Sequence, residues 1–310
     1  MSTGRVPGPL RVSLQIILCR KPIGTASGVY SPGQLLQPAF GSALLANSDS
    51  TIASVSVPTF TLACAVPAQP VGLTDRIWWG VDSSNTADHK VGKKMSLFEY
   101  ISEKAGQPPA FWGRYIGGNG KLAAPLTSSE AAFLHSKGCK ILVLYNGATN
   151  SATSVRGGYK EGQKDANNAI AAAVAIGVPA GVWIYGDTET NWQVTVEWFK
   201  GWSDTMYASG YGGAGGIYGN CMPTNASGFN TPYLKACKED DIMRMDGQAL
   251  IFGSHPEITH STTAKNAPKY GPAAPEGLKS RVVIWQYVEG VFNGFVDEDL
   301  ATELGFQSMW

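Results

Sequence analysis

Trp183-Ile184-Tyr185-Gly186-Asp187-Thr188-Glu189 is an apolar run that ends on two acids spaced two apart. Side chains two apart on a β-strand share a face, so Asp187 and Glu189 would stand side by side at a strand end. Carboxyl groups held that close push one another toward the protonated state, which sets a general acid beside an anion. Cleavage of a glycosidic bond needs that combination. Asp-x-Glu alone is a short pattern that also falls on turns and helices. Two more runs finish in the same way, however: Gly80-Val81-Asp82-Ser83 and Phe295-Val296-Asp297-Glu298. Glu189, Asp187, Asp82 and Asp297 are the expected catalytic residues, and the competing reading is a solvated rim of acids.

Polar and aromatic residues accompany these acids on neighbouring runs. Sugar rings stack on aromatic faces, and Arg and Gln can donate hydrogen bonds to hydroxyl or acetamido groups. Arg114, Tyr115, Tyr145, Tyr185, Tyr218, Trp285 and Gln286 are accordingly the expected substrate contacts, with core packing the alternative for each aromatic. Other chemistries find less support. Gly117-Gly118-Asn119-Gly120-Lys121-Leu122 lacks the spacing and the hydroxyl of a phosphate loop, and the glycines from Gly212 to Gly219 miss the dinucleotide pattern. His255 and His260 stand five apart across Pro256 with no third ligand nearby, and no Gly-x-Ser-x-Gly occurs. Neither a cofactor nor a metal is expected.

Elements able to present strand-end acids can be counted along the chain. Runs rich in β-branched and aromatic residues fall at 76–83, 110–117, 140–147, 181–188 and 213–220, then at 248–253, 281–288 and 294–297. Helical stretches at 96–105, 127–137, 162–176 and 192–208 separate the early runs, and after the fifth run only 231–240 reads as helix. Thr127-Ser128-Ser129-Glu130 has the form of a capping box, and Gly138 and Gly177 stand where left-handed stops belong. Strands alternating with helices make a parallel sheet, and eight strands fit a closed barrel. The link around residues 290–293 is too short for a helical crossover. The expected fold is an α/β, irregular (β/α)8-type TIM barrel over residues 76–310, with about five βα units followed by three strands.

Residues 1–75 have a different character. From Pro22 to Thr74 the only formally charged side chain is Asp49, within a segment rich in Ser, Pro, Gly and Ala with short alternating stretches. A solvated domain carries charge and a disordered one usually more, so this pattern reads as a β-rich or extended arm covered by assembly neighbours, or as a cap on the barrel. Across the chain, 24 Lys and Arg balance 24 Asp and Glu, which gives no charge excess for nucleic acid or an anionic membrane. Charged residues make up 15%, against about 25% in ordinary soluble proteins, while Gly (37) and Trp (9) are plentiful. No run is apolar and long enough to span a membrane, and the stretch from Val12 to Leu18 is a poor signal-peptide core. Cys19, Cys64, Cys139, Cys221 and Cys237 form no paired motif, so they read as buried thiols rather than a disulfide framework, with a bridge between Cys221 and Cys237 left open.

Gly113-Arg114-Tyr115-Ile116-Gly117, Leu126-Thr127 with Glu130-Ala131, Asp165-Ala166 within the helix from Gly162 to Ala173, and Gly177-Val178-Pro179 form a recurring set of motifs. On them, and across nearly all of residues 76–305, the chain resembles the glycoside-hydrolase-like barrel domain of unknown function found in actinobacterial and phage proteins. Asp82, Asp187-Thr188-Glu189, Trp285-Gln286-Tyr287 and Val296-Asp297 are similar to the family 25 muramidases. The resemblance implies that Glu189 is the general acid and that Asp187 positions a substrate acetamido group serving as internal nucleophile. Asp82 and Asp297 would then hold the sugar or tune Glu189. It also implies bacterial cell-wall polysaccharide as partner and an extracellular or phage-particle setting. The charge-poor composition of residues 1–75 adds the expectation that this arm contacts other virion or assembly subunits. The rival expectation is a structural virion or tail protein whose barrel binds glycan without cutting it.

Overall fold

A computed structural model describes residues 76–118 and 123–310. The expected arm over residues 1–75 lies outside the described residues, as do Cys19, Cys64 and residues 119–122. Eight strands close a barrel in sequence order: β1 (Ile77–Asp82), β2 (Phe111–Ile116), β3 (Lys140–Tyr145), β4 (Ile184–Asp187), β5 (Gly216–Asn220), β6 (Ile251–Ser254), β7 (Val282–Val291) and β8 (Val296–Thr302). Strands β1 to β7 run parallel. The eighth is antiparallel to both of its neighbours.

That reversal corrects the expectation that the eighth strand ends on Asp297. Residues 292–295 leave no length for a crossover, so the chain turns back as a hairpin. Phe292, Asn293 and Gly294 make the turn with φ of 51°, 67° and 76°. Asp297 therefore stands near the start of β8. A reversed strand starts where its parallel neighbours end, and Asp297 pairs in register with Asp82.

Helices α1 (Leu97–Ala105), α2 (Ser128–Ser136), α3 (Tyr159–Ile176) and α4 (Val196–Ser209) cover the first half of the barrel, followed by α5 (Thr231–Glu239), the single turn α6 (Asp241–Arg244) and the C-terminal α7 (Glu303–Gln307). A complete capping box occurs at α1, where Ser96 and Glu99 exchange hydrogen bonds. At α2 the expected box is half made. Thr127 Oγ1 accepts from the Glu130 N–H at 3.1 Å, but the Glu130 carboxylate turns inward instead of back to the cap. Gly138 and Gly177 adopt φ of 71° and 85°, as their stop positions require.

Apolar side chains pack in two layers. Ile141, Val143, Ile184, Trp198, Trp202, Phe199 and their neighbours fill the space between strands and helices. Phe111, Leu142, Leu144, Tyr185, Phe252 and Ile284 fill the interior of the barrel. The chain end closes the floor. Trp310 exchanges backbone hydrogen bonds with Ile141, and Ser308 Oγ meets the Tyr185 hydroxyl at 3.1 Å. Between β6 and β7 residues 255–279 replace a covering helix. They lie along the outer face, where the N–H groups of His255 and Glu257 reach the carbonyls of Gln286 and Tyr287. Cys139, Cys221 and Cys237 are buried free thiols, so the open question of a Cys221 to Cys237 bridge is resolved against it. No helix of the described residues is long and apolar enough to cross a membrane.

Candidate active site

Strand alternation decides which side chains enter the mouth. Trp183, just before β4, and Tyr185 on it face the interior and Ile184 the helices, so alternation turns Asp187 inward as well. On β2 the same rule points Tyr115 inward and Arg114 outward. Asp82 at the end of β1, Asp187 at the end of β4 and Asp297 at the start of β8 come together at one end of the barrel, with Glu189 on the exposed rim just beyond β4. Gln286 on β7 joins them. Its Nε2 donates to Asp82 Oδ2 at 2.9 Å and to Asp297 Oδ2 at 3.3 Å, and its Oε1 accepts from the Tyr218 hydroxyl at 2.9 Å. The Tyr115 hydroxyl reaches Asp82 Oδ1 at 3.4 Å, and the Gly290 N–H holds Asp297 Oδ1 at 2.6 Å.

Four expected contacts fall elsewhere. Arg114 is wholly buried on the outer face of β2, and its guanidinium is fully engaged. Nε and Nη2 donate to Glu130 at 2.6 and 3.2 Å, Nη1 to the Ser83 carbonyl at 2.6 Å and Nη2 to the Ala124 carbonyl at 2.8 Å. Tyr145 packs outward against Trp202 and lines a cleft of about 400 Å³ with Gly117, Gly118, Asn146 and Asn168, outside the carboxylate cluster. Tyr185 faces inward but lies deep, bonded to the floor at Ser308. Trp285 is buried under residues 255–279, with Nε1 donating to the His255 carbonyl at 2.8 Å. Of the expected contacts, Tyr115, Tyr218 and Gln286 are the ones gathered with the acids.

Two acids that sequence reasoning missed complete the cluster. A register shift on β7, between the pairs Asp299 with Gln286 and Glu298 with Val288, inserts an extra residue. Beyond that bulge the alternation restarts, and Glu289 turns to the rim, where it accepts from Ser254 Oγ at 3.2 Å. No sequence signal announced the bulge. Asp299 lies fully buried below Asp297. The Asp-x-Asp spacing of residues 297 and 299 could have found it by the argument applied to residues 187 and 189.

Crowded acids in a poorly solvated mouth hold their protons. Burial first and Asp297 second push Asp82 up to about 8. Burial, opposed by the Gly290 N–H and assisted by Glu289 and Glu189, puts Asp297 at about 6. Asp187 is raised well above the ordinary carboxylate range by burial, then by Glu189 and Asp82, and its Oδ1 has no hydrogen-bond partner among the described residues. Partial desolvation at the rim, followed by Glu289, raises Glu189. No described Lys or Arg forms an ion pair with these carboxylates. The arrangement can donate a proton from the rim while presenting acceptors deeper in the mouth.

Comparison with known proteins places this chain in a group. The model of the Rv2525c-like, glycoside hydrolase-like domain matches residues 104–274. The crystal structure of an uncharacterized B. stearothermophilus protein is 30% identical over 75% of this chain and 100% of its own, with a TM-score of 0.64. The Tat-secreted protein Rv2525c of Mycobacterium tuberculosis is 17% identical over 72% of this chain and 94% of its own, with a TM-score of 0.45. A muramidase from Acremonium alcalophilum is 13% identical over 74% and 98%, with a TM-score of 0.46. Among curated proteins the sequence finds no match.

Proposed function

The chain belongs to the Rv2525c-like glycoside hydrolase-like domain family, and from that premise we propose that its barrel mouth hydrolyses N-acetylhexosamine-containing glycan of the bacterial cell wall. The observation that carries the proposal is the convergence of Asp82, Asp187, Glu189 and Asp297 on one mouth, graded from buried floor to exposed rim. Glu189 is the general acid. Burial and the neighbouring Glu289 raise its proton affinity, and its rim position leaves room for a glycosidic oxygen.

Asp187 orients the substrate. Its unpartnered Oδ1 is a ready acceptor for an acetamido N–H, and the carboxylate that Glu189 becomes on giving up its proton balances positive charge as the ring becomes oxocarbenium-like. The acetamido oxygen is the internal nucleophile, while Asp82 and Asp297, joined through Gln286, hold the sugar and tune the cluster. Tyr115 and Tyr218 supply walls and hydroxyl groups. Residues 255–279 run along the outer face, which supports a mouth open to a polymer. A wall substrate sets the reaction outside the cytoplasm. The charge-poor segment from Pro22 to Thr74 is the basis for assigning residues 1–75 to attachment on an assembly such as a phage particle.

The test is release of reducing ends from purified bacterial peptidoglycan by the wild type and by Glu189→Gln. Release by the wild type, with loss of about three orders of magnitude in the variant and unchanged folding and wall binding, supports the assignment. Equal turnover in the variant overturns the role of Glu189. No release by either protein, with wall binding retained, replaces the hydrolase by a glycan-binding barrel.

A further inference from the structure

Beneath the mouth acids, Asp299 occupies a place that the proposed chemistry does not use. It is fully buried, in register with Gly80 of β1 and Gln286 of β7, and two residues from Asp297 on the inward face of β8. Neither of its oxygens receives a hydrogen bond from an N–H group or a hydroxyl among the described residues. On the strand register Asp82, which pairs with Asp297, is its diagonal neighbour on the inward faces of β1 and β8, within reach of a carboxyl-to-carboxyl contact. Two carboxylates cannot hydrogen-bond unless one carries a proton, because an ionised carboxylate only accepts.

The surroundings say which one carries it. Asp82 already accepts from Gln286 Nε2 at 2.9 Å and from the Tyr115 hydroxyl at 3.4 Å, so its oxygens are furnished as acceptors. Asp299 has no donor to support an anion. The charged groups that bear on it are all acids, Asp82 from β1 and Asp297 and Glu298 from β8, while β7 offers the neutral Gln286. The geometry points to Asp299 as a positioning residue: a permanently neutral carboxylic acid whose O–H donates to Asp82 and holds it in place as an acceptor.

The consequence for turnover rests on the hydrolase proposal above. If the cluster keeps a fixed proton at Asp299, Asp82 ionises more readily under the sugar than it would among acids that all compete for protons. Burial alone already disfavours ionisation of both groups, and the donated hydrogen bond works against that at Asp82.

Carbon-13 labelling of the aspartate carboxyls in the full chain reads the proton directly, with the Asp299 resonance assigned by its loss in Asp299→Asn. The expected result is a resonance that stays in the protonated position from about pH 4 to about pH 8. Asp299→Asn, whose amide still donates, should leave the Asp82 titration close to that of the wild type. Asp299→Leu should raise the proton affinity of Asp82 about tenfold or more. If the wild type hydrolyses wall glycan, the acidic limb of its pH profile moves upward in Asp299→Leu and is restored in Asp299→Asn. An Asp299 resonance that titrates as an ordinary carboxylate overturns the inference, as do equal Asp82 shifts in the two variants. Should Asp299→Leu fail to fold, the wild-type resonance still decides. Absence of hydrolysis removes the hydrolase proposal and leaves this carboxyl titration to stand or fall on its own.

Discussion

Gly113 leaves the space that Asp82 occupies. A methyl group at this position would meet the Asp82 Cβ and approach Leu144 Cδ1 to 3.4 Å, so any larger residue displaces the acid or the strand beside it. Gly113→Ala is expected to cost about 1–3 kcal/mol, the usual range for overfilling a packed interior. Its effect on turnover should exceed its effect on stability. A displacement of Asp82 by about 1 Å lowers reducing-end release about a hundredfold while the far-ultraviolet circular dichroism stays that of the wild type. Turnover that falls only in proportion to the folded fraction would show that the Asp82 position is not critical.

At the scale of elements, the Arg114–Glu130 pair ties β2 to α2 and to the segment after β1. Glu130 accepts from both Arg114 and the Ala87 N–H at 2.8 Å, and Arg114 holds the carbonyls of Ser83 and Ala124. Both side chains are almost wholly removed from solvent. Arg114→Ala strands a buried carboxylate and should cost about 3–5 kcal/mol, read as a shift in the urea midpoint. Replacing both partners by Leu should cost less than the single change, because no charge is left uncompensated. A single variant within about 0.5 kcal/mol of the wild type would contradict this account. The clamp also shows how far the residues around it were legible. Arg114 and Tyr115 are adjacent, so strand alternation forbids them one face, and of the two it is Tyr115 that enters the mouth.

The whole molecule carries its buried acids as a pH-dependent load. Asp82 is raised to about 8, Asp297 to about 6 and Glu298, buried beside Thr262 and Tyr287, to about 7, whereas unfolded carboxyls titrate near 4. Between those values the folded state binds more protons than the unfolded state. Stability is therefore greatest below about pH 4–5 and falls as pH rises through about 6 to 8. Calorimetry across that range should show a declining Tm, and Asp82→Asn should raise the Tm at the alkaline end and flatten the slope. A Tm that climbs toward pH 8 would show that these groups are not protonated in the folded chain.

Periodicity and composition determined by themselves that residues 76–310 build a barrel of strands and helices, and that acids close the runs at Asp82 and Asp187. They also located the helix stops at Gly138 and Gly177, because a left-handed stop is a local demand on one residue. Tertiary structure alone decided the direction of β8, the bulge that brings Glu289 to the rim, and the sites of Arg114, Tyr145, Tyr185 and Trp285 away from the acids. The physical reason is that barrel strands are buried on both faces. Alternation then separates two apolar sides without marking which is the interior, and only closure of the sheet, with its floor sealed by the chain end, tells an inward side chain from an outward one.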